Sequence, residues 1–132
     1  MPTRRERLGS RRGSAAVEFA LVLPLVMVVA LALVQTGLLL RDRLLVEAAA
    51  RAAARAAAVE DDAGAIRAAA VAAAPSLDEG AVAVDVERVG ARGEPVTVTI
   101  HYMARVRVPF VEWLFGPSVG LASSTTARQE FG

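Results

Sequence analysis

A chain of 132 residues has room for one modest domain. It contains no Cys, which excludes disulfides and thiolate chemistry. Its lone His, His101, falls on the polar face of an alternating run beside Met103 and Arg105, where it reads as neither a metal site nor part of a triad. The formal charge of +1 hides an asymmetry: residues 1–13 carry five Arg against one Glu, a net of +4, while the rest carries ten Arg against thirteen acids, a net of −3. The all-Arg, Ala-rich composition reads as the product of a GC-rich bacterial genome.

The first element in chain order is an apolar run. Residues 19–40 carry no charge, and only Pro24, Gln35, Thr36 and Gly37 interrupt the aliphatic content. A membrane-crossing helix needs about 20 apolar residues. Residues 14–40 are therefore expected to form a transmembrane helix, preceded by a basic cytoplasmic leader, 1–13. Basic flanks stay on the cytoplasmic side, so a single pass puts the N-terminus inside and the C-terminal domain outside. Pro24 removes one helix hydrogen bond, which predicts a mild kink.

Glu18 sits just inside this run, where a charge costs about 2.5 kcal/mol or more at mid-bilayer depth. Three accounts fit the N-terminus. One is a cleaved secretory signal with Ala30-Leu31-Ala32 as the cut, although the apolar run exceeds the usual span of about 7–15 residues. Another is an uncleaved signal anchor. The third uses Gly13 and Glu18 together: "RRGSAAVEF" resembles the processing signal of type IV pilin-like proteins. That resemblance implies cleavage between Gly13 and Ser14 by a prepilin peptidase, with the span retained and a new α-amino group on Ser14. Ser14 and Glu18 lie four residues apart, on one helix face. The carboxylate is then placed to pair with the amine of its own chain or of a neighbour, offsetting part of the cost of its surroundings. A Glu merely solvated at the headgroup boundary is the plainer alternative.

"GSAAVEFALVLPLVMVV" followed by "RDRLLVEAAARAAARAAA" is similar to the TadE-like family of tight-adherence (Flp-type) pilus assembly proteins. Gly13, Val17, Glu18, Phe19, Ala20, Pro24, Ala50, Arg51 and Ala54 carry the likeness, and the C-terminal "ASSTTARQE" adds a weaker one. The resemblance implies a minor pilin or pseudopilin in the inner membrane, possessing a processing site at Gly13 and Ser14 and assembly contacts at Glu18 and Phe19. Its implied partners are the prepilin peptidase, other pilins and pseudopilins, the pilus assembly platform and membrane lipid.

Beyond Arg41, Asp42 and Arg43, which read as the exit into water, "LLVEAAARAAARAAAV" is built from strong helix formers. Glu47 precedes Arg51 by four residues, the favourable order for a helical ion pair. Ala49, Ala52, Ala53 and Ala56 form a smooth face for another helix or a sheet. "EDDAG" ends the helix, with Asp61 or Asp62 as N-cap of a second one over 63–74 that Pro75 stops. Residues 41–74 thus make an extracytoplasmic helical region, and 75–132 a small β domain.

There the period changes to two. Val82, Val84 and Val86 share one face, and in residues 96–108 apolar residues alternate with Thr97, Thr99, His101, Met103, Arg105 and Arg107, one face buried and one wet. "GARGEP" suits a hairpin loop, and a third strand is expected from Val119. The fold class is α+β: a long N-terminal helix packed on a small antiparallel sheet of about three strands, in a pilin-like arrangement. Between the last two strands, "PFVEWLFGP" reads either as a plug over the sheet core or as an amphipathic contact with the membrane surface or a sister subunit.

No Ser lies in a nucleophile elbow, and no Gly-rich phosphate loop occurs. Positive-inside topology accounts for the Arg-rich leader better than nucleic-acid binding does. The expectation is a non-enzyme without cofactor, metal or nucleic-acid partner. Two classes remain: a pilus assembly protein, and a membrane-anchored extracytoplasmic binding module unrelated to pili.

Overall fold

The computed structural model describes residues 4–130 and the side chains of residues 13–130. Residues 1–3 of the expected leader, and the arginine side chains of the remainder, lie outside that description. Arg4–Val59 form one continuous helix, α1, of 56 residues that passes through Pro24 without interruption. At 1.5 Å per residue it is about 84 Å long. A second helix, α2 (Ala63–Ala73), and a 3₁₀ turn (Glu79–Ala81) lead into β1 (Val82–Arg88), β2 (Pro95–Arg105), a four-residue helix α3 (Glu112–Phe115) and β3 (Ser118–Arg128). The fold is α+β, as the two periods in the sequence require.

The link between the helices is built as the acids predict. Asp62 is the N-cap of α2, its carboxylate accepting from the backbone N–H of Gly64 at 3.3 Å and Ala65 at 3.0 Å. These bonds satisfy two of the donors a helix start leaves open. Asp62→Ala should lower the domain's unfolding free energy by about 1 kcal/mol. Chemical denaturation followed by circular dichroism will show the change, and Asp62→Asn should recover most of it.

The sheet is an antiparallel meander in the order β1-β2-β3. Val86 pairs with Val98 and Thr99 with Ser124, so the register keeps the apolar sets of all three strands on one side. On the wet side Thr97–Thr126 and Thr99–Ser124 hydroxyl pairs, at 2.9 and 2.7 Å, tie β2 to β3. The β1–β2 connection turns at Gly90 and Gly93, with φ of +85° and +91°, a region open to glycine at little cost. The alternation beginning at Val96 extends to Val108, but the strand ends at Arg105. Arg107 and Val108 leave the sheet because their backbone N–H groups are bonded to α1 instead.

α1 packs against α2 and across β2 and β3. The core joins Val46, Ala49, Ala50, Ala53, Ala54 and Ala57 of α1 to Ile66 and Ala70 of α2 and to Val96, Val98, Ile100, Tyr102 and Ala104 of β2. The buried stripe is broader than the expected Ala49-Ala52-Ala53-Ala56 face and is rotated from it: Ala50, Ala54 and Ala57 are buried, whereas Ala52 and Ala56 are half-buried. Two packing partners at once, rather than one, account for the extra width. Glu47 pairs with both Arg43 at 3.5 Å and Arg51 at 4.0 Å along the outer face.

The two ends of the sheet lie at two different levels of α1. The β1–β2 hairpin and the end of β3 sit at its C-terminus. There Arg88 Nη1 donates to the carbonyl of Ala57 at 2.8 Å and Nη2 to that of Glu60 at 3.0 Å, while Glu130 N donates to that of Ala58 at 2.7 Å. A cation on the last carbonyls of a helix satisfies open acceptors and complements the helix dipole. The β2–β3 connection lies at the opposite end, beside Gln35.

Candidate functional site

The apolar half of α1 has no protein around it. No residue from 13 to 34 is buried, a stretch of 22 residues or about 33 Å. By length and composition this helix is able to cross a membrane. Within that stretch the structure brings Ser14 and Glu18 together: Ser14 Oγ donates to Glu18 Oε1 at 3.2 Å. This is the i, i+4 geometry the sequence predicts, and Ser14 is the hydrogen-bond partner of Glu18 among the described residues. Phe19 is exposed beside it. At Gly13 a Cβ would meet nothing within 4 Å, so the helix itself makes no demand for glycine there.

A second polar cluster lies farther along the helix, and the sequence reading missed it. Gln35 is 0% exposed, and its Oε1 accepts from the backbone N–H of Arg107 at 3.0 Å and of Val108 at 3.1 Å. Asp42, read as part of the exit into water, is only 1% exposed, and its Oδ2 meets Arg107 Nη2 at 3.1 Å. Arg41 and Arg43 on either side of it are exposed, as expected. Gln35 Nε2 and Asp42 Oδ1 find no protein partner. A buried carboxylate and amide are tolerated at this cost because each retains a charge-assisted or doubled hydrogen bond. The signal was present in the spacing: Gln35 and Asp42 are seven apart and lie on the same stripe as Val46, Ala49, Ala53 and Ala57. Polar residues on a stripe that becomes the core mark a specific docking contact.

Other chemistry-bearing residues are dispersed. His101 Nε2 lies 3.3 Å from Asp85 Oδ2 on the exposed side of the sheet, a cross-strand pair open to water. An open groove of about 320 Å³ is lined by Ser76, Asp78, Tyr102, Met103, Arg105 and Arg107, with charges of both signs. No group of three or more His, Asp or Glu side chains among the described residues is placed to hold a metal.

The aromatic turn does not plug the sheet. Phe110 and Trp113 are 77% and 75% exposed, and Leu114 is also exposed, whereas Val111 is fully buried. Phe115 is half-buried, so the turn is held through Val111 and Phe115 and presents its other large apolar side chains outward.

Residues 13–55 match the family model described as TadE-like protein, a stretch that contains the unburied helix, Glu18, Gln35, Asp42 and most of the alanine stripe. No curated protein and no solved structure gives a significant match to the chain.

Proposed function

From the TadE-like match along α1, we propose that the chain is a minor pilin or pseudopilin that takes part in assembling a tight-adherence (Flp-type) pilus or its secretion system. The supporting observation is a carboxylate kept within an unburied apolar helix, five residues beyond a glycine that the fold does not need. In this reading residues 14–34 cross the bacterial inner membrane once, with the N-terminus cytoplasmic and the sheet outside. The span ends short of the expected residue 40 because the domain packs on α1 from Gln35 onward. A prepilin peptidase cuts between Gly13 and Ser14 and leaves the span in place. The new Ser14 amine lies one helix turn from Glu18, and a subunit entering an assembly exchanges this local pairing for one across chains. The role is structural rather than catalytic.

The test is Glu18→Gln. Insertion should be at least as efficient as wild type, since the span loses an ion costing about 2.5 kcal/mol or more at its least favourable depth. Crosslinking between neighbouring subunits should fall severalfold, because the partner amine is left without its counter-charge. Membrane fractionation and crosslinking yield measured in parallel separate the two effects. Unchanged crosslinking would remove Glu18 from the assembly contact.

A further inference from the structure

The β2–β3 connection, residues 106–117, combines exposure, composition and position. Within five residues it exposes Phe110, Trp113 and Leu114, and it holds Phe110 at a φ of +65°, unusual for a bulky side chain. Val111 anchors the turn from beneath: it is fully buried, and its carbonyl accepts from Leu114 N at 3.0 Å and Phe115 N at 3.2 Å. An exposed apolar cluster on a small domain with a closed core marks a contact surface.

The polar cluster fixes where this surface lies. Val108 N is bonded to Gln35 at 3.1 Å, and Phe110 follows two residues later, within about 7 Å of chain. The turn is therefore level with Gln35, the first buried residue after the unburied stretch 13–34. If that stretch fills a hydrocarbon layer about 30 Å thick, Gln35 marks its outer boundary. The β1–β2 hairpin and the C-terminal strand end are at the far end of the domain, bonded to Ala57 and Ala58.

We propose that the turn carrying Phe110, Trp113 and Leu114 is seated in the headgroup layer of the membrane that α1 crosses, an inference that rests on the membrane-spanning reading above. The exposed turn lies at the level where the unburied stretch of the helix ends. Trp and Phe suit a boundary that is apolar on one side and wet on the other. Arg41, Arg43 and Arg105 are exposed near this end of the domain and suit lipid phosphates. Glu112, exposed on the same turn, carries a charge that is costly to bury in hydrocarbon, which suits headgroup depth rather than deeper insertion.

Trp113 is the chain's one tryptophan, so its fluorescence reports this contact directly. The full chain is reconstituted in phosphatidylethanolamine–phosphatidylglycerol vesicles, with and without lipids brominated near the headgroup end of the acyl chain. Trp113 should be strongly quenched by the brominated lipid and severalfold less accessible to aqueous iodide than in the urea-unfolded chain. The double substitution Phe110→Ser, Leu114→Ser should reduce bromolipid quenching at least twofold while the chain resists alkaline extraction. A wild-type chain that resists extraction but leaves Trp113 open to iodide and untouched by bromolipid overturns this inference and leaves the anchor intact. Shielding from iodide that rises with the protein-to-lipid ratio, without bromolipid quenching, assigns the turn to a second copy and also overturns it. A chain released by alkali removes both readings.

Discussion

Gly13→Leu should leave the leader attached to essentially every molecule. With 13.8 kDa spread over 132 residues, the uncut form should run about 1.4 kDa heavier than the mature chain on a denaturing gel or in a mass spectrum. The structure makes this a clean experiment. A side chain at position 13 meets nothing within 4 Å, and leucine is a better helix former than glycine, so neither packing nor propensity obstructs the change. Only an outside agent that must seat the residue in its own site has reason to reject it. N-terminal sequencing completes the test: wild type should begin at Ser14, and a variant trimmed as efficiently as wild type ends the pilin-type reading of the N-terminus.

Ile100→Ala should be the most damaging single truncation in the domain. Ile100 is fully buried on the central strand and belongs to the core that faces the alanine stripe of α1. Truncations of this kind cost about 2–5 kcal/mol, more where the surroundings cannot collapse into the space. Here they cannot. Alanines 49, 50, 53, 54 and 57 have no longer side chains to swing inward, and the helix carrying them is fixed at two levels by Gln35 and Arg88. Domains of this size have only about 5–15 kcal/mol of stability in all. Pulse proteolysis in detergent should show the loss, and a variant within 1 kcal/mol of wild type, well below the ~2–5 kcal/mol range, would show that the helix does close on the sheet.

The legible parts of this molecule were those specified by short-range pattern. An uncharged run gives a helix of a certain length, alternation from Val82 and Val96 gives strands with an inner face, and the acids before Ala63 give a cap. That Ser14 and Glu18 are neighbours was legible for the same reason, since four residues on a helix fix a neighbour without reference to the fold. The group that makes the bond is the Ser14 hydroxyl, whereas the one expected was its α-amino group. Gln35 and Asp42 were misread because their meaning depends on where Arg107 arrives from, 65 residues beyond Asp42. In local terms a Gln in an apolar run is an interruption, and an Asp between two arginines is a water-facing charge. The position of the alanine face was off for a related reason. Alanine carries no facial preference of its own, so the stripe is drawn by whatever packs on it, and here α2 and the sheet draw it together. The aromatic turn offered two readings that composition alone did not separate, and burial decided against the plug.

The two attachments between sheet and helix also have a mechanical meaning. Gln35 and Ala57 are 22 residues apart, about 33 Å along one rod, and the domain is fastened at both. With a fastening at each end and no break in the helix between them, the domain has no joint of its own. A push on the sheet becomes a torque on the rod, and a pull on the rod lifts the sheet by the same distance. In the membrane-spanning reading proposed above, the tilt and the axial travel of α1 are thus the two coordinates through which the chain moves relative to a bilayer, and it is drawn out, or held back, in one piece.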